Sequence, residues 1–219
     1  MGRLMENKNI DLKEFFLDSL FVLGIVAIYV LFPTNDFFQQ IITLVVFFIG
    51  MPILYCKFIT GRKLYSFGIS KGDVRNGLFW SLGLFSVALL ALYVVFNYSS
   101  FLSNYGLPRD IIDNFTYFVL YESFFILPLS FIYTFFFIGF VYFGHERVIS
   151  GYWAIVLQWI IFIGIVLLSG SSFWVSLPYL LFAPFAGLIA YKSRSIWYSA
   201  LTQFIFVFVV DIFFIKFTF

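Results

Sequence analysis

The chain of 219 residues is strongly apolar: 63% of its residues are hydrophobic and only 11% are charged, whereas soluble domains average about 25% charged residues. This composition excludes a soluble globular protein, because a fold of this length cannot hide so much apolar surface from water, and lipid must cover it. The net charge of +2 gives no reason to expect nucleic-acid binding, and one cysteine with one histidine excludes a Cys/His metal cluster. We predict neither a metal nor another cofactor.

Long apolar segments follow one another along the chain, each near or above the ~20 residues that cross a bilayer. They cover about residues 15–32, 37–56, 78–96, 115–144, 152–169, 173–191 and 196–214. We therefore predict an all-α, polytopic transmembrane helical bundle of about seven spans (six to eight), forming a single domain over residues 1–219. The polar lead-in MGRLMENKNIDLKE has no small-residue cleavage site and is predicted to precede a retained signal anchor.

The fourth segment is longer than one crossing requires. Its 30 residues would extend about 45 Å as a helix, against a hydrocarbon core of about 30 Å. Pro128 removes a backbone donor inside the segment, so we predict a single tilted or broken crossing interrupted near this residue. The alternative is a hairpin that crosses the membrane twice.

The lysines and arginines predict the orientation. With seven crossings, one side of the membrane carries eleven of them and the other side carries Arg109 and Lys216. The larger set is Arg3, Lys8, Lys13, Lys57, Arg62, Lys63, Lys71, Arg75, Arg147, Lys192 and Arg194. By the positive-inside rule, the N-terminus is cytoplasmic and the C-terminus lies outside a cell membrane. A hairpin in the fourth segment would reduce the bias to eight against five.

Three segments follow one another between about residues 115 and 210: FIYTFFFIGF, YWAIVLQWIIFIGIV and PFAGLIAYKSRSIWYSALTQFIFVFV. In these segments the sequence resembles the CPBP family, the CAAX proteases and bacteriocin-processing enzymes also called the Abi family. Residues 137–140, Phe-Ile-Gly-Phe, look like the family's F-R-G-F within E-E-x-x-x-R-G-[FY]. The resemblance places Tyr133 and Thr134 at the glutamate pair, and Ile138 at the arginine.

Two later segments extend the resemblance. The segment YWAIVLQWIIFIGIV is similar to the family's F-x-x-x-H helix, with Phe162 in register and Val166 at the histidine position. The stretch PFAGLIAYKSRSIWYSALTQFIFVFV is similar to the family's final G-x-x-x-G…S-I-W segment and H-x-x-x-[ND] helix. It places Gln203 at the histidine and Val207 at the asparagine or aspartate.

The departures from the family's pattern concern the chemistry itself. In the family, a carboxylate is thought to activate water while histidines and an amide or carboxylate stabilise the oxyanion. Thr134 cannot act as a general base, Val166 and Val207 have no polar atom, and Gln203 cannot exchange a proton. We therefore predict a pseudoenzyme of an intramembrane protease family.

Other ionisable side chains lie inside or near the apolar segments, where charge is costly. Glu122 is interpreted as a neutral buried acid or as a contact for a basic group of a partner. Asp211 falls near the helix face of Gln203 and is interpreted as a capped or interfacial acid, with a polar or partner contact as the alternative. Asp18 is expected to reach the interface, and His145 to be solvated at a helix end.

The leading hypothesis is a membrane protein that binds, and regulates or scaffolds, another integral membrane protein or a hydrophobic peptide within the lipid bilayer. The resemblance makes bacteriocin immunity, or regulation of a membrane-bound cell-envelope enzyme, plausible roles. Helix contacts would depend on small residues, with residues 81–86, Gly139 and Gly187 as candidate close-packing sites. The alternatives are an active CAAX-type protease that uses Glu122 or His145, and a small transporter.

Overall fold

The computed structural model describes the backbone of residues 2–34, 36–170 and 172–218, and side chains over 12–34, 36, 38–170 and 172–217. Within these residues, seven helices are long and apolar enough to cross a membrane, and no part of the described chain is a β-strand. The helices α1 to α7 run over Gly2–Leu31, Phe38–Thr60, Val74–Tyr98, Phe115–His145, Gly151–Leu168, Phe173–Ser193 and Ile196–Thr218. The predicted all-α membrane bundle is thus confirmed.

Helix α4 runs from Phe115 to His145 in one direction, so the hairpin alternative is wrong. The helix is not broken at Pro128, because the backbone stays helical through this residue, but the regular α-helical pattern is interrupted close to it. Wide π-type turns instead occupy Glu122–Ile126, just before Pro128, and Thr134–Tyr142 beyond it. Proline has no backbone N–H group to donate. A wide turn beside it accommodates the missing hydrogen bond, so the helix continues without a break.

The spans share one apolar core. Helix α6 makes its most extensive contacts with α3 and α7, while α4 is the most deeply buried of the seven spans. Gly187 is a site of close packing, since a Cβ there would lie 2.9 Å from Ile155 Cγ2 on α5. Gly83, in the segment 81–86, has open space around it, so this segment makes no close packing contact at Gly83 within the bundle, and its proposed contact with a partner stays a prediction.

The connections after α2, α4 and α6 meet at one end of the bundle, which we call the basic end. The Asp73 amide donates to the Ser193 carbonyl at 2.7 Å, and the Ile196 amide to the Gly68 carbonyl at 3.0 Å. Gly72 allows this approach, because a Cβ there would lie 2.1 Å from the Ser193 oxygen. The connections after α1, α3 and α5 form the opposite end, including short helices at Phe101–Asn104 and Arg109–Asp113.

Candidate functional site

Thr134 and Gln203 meet between α4 and α7. The Thr134 hydroxyl donates to Gln203 Oε1 at 3.2 Å, and both side chains are buried. Thr134 begins the wide turn Thr134–Tyr142, and Gln203 lies in the first half of α7. Both side chains are neutral, so the pair can fix two helices against each other but cannot move a proton.

Aromatic rings fill the space on the other side of α4. Phe137 stacks on Phe162 with centroids 4.6 Å apart, and Phe136 stacks on Phe48 at 4.4 Å. The Tyr133 ring lies 5.5 Å from the same Phe162 ring. Such ring pairs stabilise a core beyond the area they bury.

The other residues that the resemblance singled out are buried at separate places. Ile138 and Val207 are apolar core residues, whereas Tyr133 and Val166 line a cavity. Thr134 is therefore hydrogen-bonded to Gln203, whereas Tyr133 and Val166 line the same cavity. The six positions do not all line that cavity.

A cavity of about 480 Å³ lies between α1, α2, α4, α5 and α6, towards the opposite end. Its walls are mainly tyrosine, phenylalanine and aliphatic side chains, with hydroxyl and amide groups near the connections after α1 and α5. The lining residues with aromatic rings are Tyr29, Phe32, Tyr121, Phe125, Tyr133, Phe162 and Tyr179. None of the described residues that line the cavity carries a charge, and the volume is typical of small-ligand pockets.

Two acidic side chains lie behind this wall, at the interface of α4 and α7. Glu122 is 1% exposed and Asp211 is 0% exposed, and their carboxyl groups are in contact. Tyr105, from the connection after α3, donates its hydroxyl to Asp211 Oδ1. Burial, followed by the nearby Asp211 charge, raises the pKa of Tyr105, so its hydroxyl remains a donor.

Tyr179 lies on the cavity wall. Its side chain lines the cavity, and its hydroxyl is buried in the bundle without a hydrogen-bond partner. Glu122 and Asp211 are also buried and are not among the residues that line the cavity.

The structure gives Asp211 and His145 surroundings that the sequence does not show. Asp211 lies inside α7 and is not a helix cap; it is buried, and its carboxyl group accepts a hydrogen bond from Tyr105. His145 is buried rather than solvated: Nδ1 donates to the Val141 carbonyl at 2.7 Å, and Nε2 lies 3.0 Å from Ser19 Oγ. The sequence places both groups near helix ends but cannot show which neighbouring helix covers them.

Asp18 is buried and belongs to an ion pair at the basic end. Its Oδ1 accepts from Tyr55 at 2.9 Å and its Oδ2 accepts from Arg62 at 2.6 Å, while Arg62 also contacts Glu14 at 2.7 Å. Burial by itself would lower the pKa of Arg62, but the two acids outweigh it and raise that pKa. The cluster ties α1 to the end of α2, which is a structural role.

Tyr29, Tyr105 and Tyr179 are the site residues that sequence reasoning missed. Each of these tyrosines lies in a segment rich in aromatic residues, so the residue type alone does not indicate a functional site. A weak signal exists for Tyr179, which follows Pro178 inside an apolar helix. The described residues hold no group of three or more His, Cys, Asp or Glu that could bind a metal ion.

Comparisons of the chain with protein-family models, with curated proteins and with solved structures found no match. The resemblance to the CPBP family therefore rests on the three sequence segments alone.

Proposed function

We propose that the chain is a non-catalytic membrane protein, similar to the CPBP proteases, that binds a membrane partner through the cavity between α1, α2, α4, α5 and α6. One contrast carries the proposal. The position that resembles a catalytic centre is closed by the hydrogen bond from Thr134 to Gln203, whereas an aromatic cavity of about 480 Å³ remains open beside it.

The volume limits what can enter the cavity. It suits a chain terminus or a few side chains, and a whole helix, about 10 Å across, would not fit. The partner is then a hydrophobic peptide or another integral membrane protein that inserts one end or one side chain and packs the rest against lipid-exposed helices. Bacteriocin immunity and regulation of a cell-envelope enzyme are both compatible with this mode of binding.

A proteolytic function has less support. His145 is held by Val141 and Ser19 near the basic end, far along α4 from Glu122. A carboxylate and a histidine that do not meet cannot share general acid–base work on one bond. A transport path has little support because the groups that fill the middle of α4 are aromatic.

Photo-crosslinking from inside the cavity tests the proposal. A benzophenone amino acid replaces Gln40, an exposed residue of the cavity lining, in native membranes. We expect one discrete adduct, and we expect Ser176→Trp to abolish it by filling the cavity that Ser176 lines. The matched control is Ser86→Trp on the exposed face of α3, which should leave the adduct unchanged.

A second position guards against non-specific capture. The same benzophenone placed at Leu82, which is 70% exposed on α3, should not give the adduct. Adducts of equal yield from Gln40 and Leu82, or an adduct from Gln40 that persists with Ser176→Trp, would contradict binding in the cavity.

A further inference from the structure

We infer that Glu122 and Asp211 form a proton-binding site, in which the folded chain holds at least one proton between two carboxyl groups at the interface of α4 and α7. The proton is the ligand, and a hydrogen bond between the two acids retains it. The site does not depend on the proposed function, because neither acid is among the residues that line the cavity.

The packing of two helices brings the acids together. Glu122 is 1% exposed and Asp211 is 0% exposed, and their carboxyl groups are in contact. Glu122 begins the wide turn Glu122–Ile126 of α4, and Asp211 lies within α7. Because this turn packs directly against α7, the two carboxyl groups cannot separate without a movement of one helix.

Three of the four carboxyl oxygens lack a donor. The Tyr105 hydroxyl donates to Asp211 Oδ1, but no hydrogen bond reaches Asp211 Oδ2 or either oxygen of Glu122. An ionised carboxyl group only accepts hydrogen bonds, so two carboxylates here would bury these oxygens unsatisfied and would repel each other. A proton on either group makes that group a donor to the other and relieves the repulsion.

No basic side chain of the described residues compensates the pair. The described ion pairs join Arg62 and Arg194 to acids at the basic end. The titratable groups that face the two acids are the hydroxyls of Tyr105, Tyr121 and Tyr179, and a tyrosine hydroxyl is neutral at physiological pH. A buried carboxylate without a cation is unfavourable, which favours the protonated acid.

A metal ion fits this place less well than a proton. A hard divalent cation takes six or more oxygen ligands. Around the pair, the described chain provides no third His, Cys, Asp or Glu with which a metal could be held. A proton needs only one oxygen from each of the two acids.

The bound proton makes folding depend on pH. In the unfolded chain both acids meet water and are ionised at neutral pH, since free carboxyl groups have pKa values of about 4. The folded state then binds more protons than the unfolded state, so stability falls as the pH rises. For one proton, the equilibrium constant of unfolding increases about tenfold per pH unit while the site stays protonated.

Infrared spectroscopy of the full chain in detergent micelles detects the proton directly. A protonated carboxyl group has a carbonyl stretch at higher frequency than a carboxylate, and this band shifts when heavy water replaces water. At about pH 7, where exposed carboxyl groups are ionised, we expect the band in the native chain. Its absence there would overturn the inference without recourse to any variant.

Variants assign the band to the pair. The double change Glu122→Gln with Asp211→Asn keeps the shapes of both side chains and should abolish the band. The control Asp113→Asn removes an exposed acid at the same end of the bundle and should retain it. A band that persists in the double variant would place the proton on another acid and contradict the assignment.

The pH dependence of unfolding is an independent measurement. Unfolding by denaturant is compared for the native chain and the double variant from about pH 6 to about pH 8, above the pKa of free carboxyl groups. The unfolding constant of the native chain should rise about tenfold per pH unit relative to that of the variant. His145, the one histidine, is common to both and cancels in this ratio, so parallel profiles would contradict the site.

Discussion

Buried polar side chains distinguish the two halves of this bundle. At the centre, Thr134 and Gln203 are bonded to each other and neutral. Towards the opposite end, Glu122 has no donor for either oxygen, and Tyr179 has none for its hydroxyl. Bonded neutral pairs are inexpensive to bury, whereas unsatisfied groups are costly. The first arrangement fastens helices, and the second is expected where a ligand binds.

The hydrogen bond from Thr134 to Gln203 makes a prediction at the scale of single residues. Thr134→Val keeps the shape but leaves Gln203 Oε1 without its donor, so we expect a loss of about 1–3 kcal/mol of stability. The loss is measured as a lower midpoint of unfolding in detergent with added denaturant. Thr116→Val, at an exposed position, is the control, and equal midpoints for the two variants would contradict this role.

At the scale of elements, the wide turns of α4 place its polar residues. Glu122 begins the first of these turns and Thr134 begins the second. Wide turns rotate the residues that follow them relative to a regular helix and are frequent at functional sites. A regular 3.6-residue pattern, projected along the whole segment, therefore assigns several α4 residues to the wrong face.

The crossing of α5 and α6 makes a prediction at this scale. A Cβ on Gly187 would lie 2.9 Å from the branched side chain of Ile155, so Gly187→Ala should cost about 1–3 kcal/mol through overpacking. Gly83→Ala meets nothing within 4 Å and should be neutral or slightly stabilising, because alanine favours a helix over glycine. Thermal unfolding in the same detergent compares them, and equal effects would show that the two helices are not closely packed.

At the scale of the whole molecule, the charges separate along the axis of the bundle. Basic residues of the connections after α2, α4 and α6 gather at one end, where hydrogen bonds and the ion pair between Arg194 and Glu146 hold these connections together. The cavity opens towards the other end. If the basic end is cytoplasmic, as the positive-inside rule predicts, a partner that enters the cavity as proposed would approach from the outside or from the outer leaflet.

Thiol labelling tests this orientation. The one native cysteine, Cys56, is buried, so a Cys56→Ala background gives no signal. In intact cells a membrane-impermeant maleimide should label Ser103→Cys at the opposite end, and should label Lys71→Cys at the basic end only after permeabilisation. Both positions are exposed, and the reverse labelling pattern would place the N-terminus outside.

Composition and the length of the apolar segments predicted an all-α membrane bundle of about seven spans (six to eight), because a helix satisfies its own backbone in lipid. The side-chain types of Thr134, Val166 and Gln203 led, through the resemblance, to the prediction of a pseudoenzyme, which stays a prediction. Only the tertiary structure decided that Asp211 meets Glu122 and Tyr105, and that Tyr133, Val166 and Tyr179 line one cavity. Helical periodicity fixes the face of a residue within its own helix, whereas contacts between distant segments depend on how all seven helices pack.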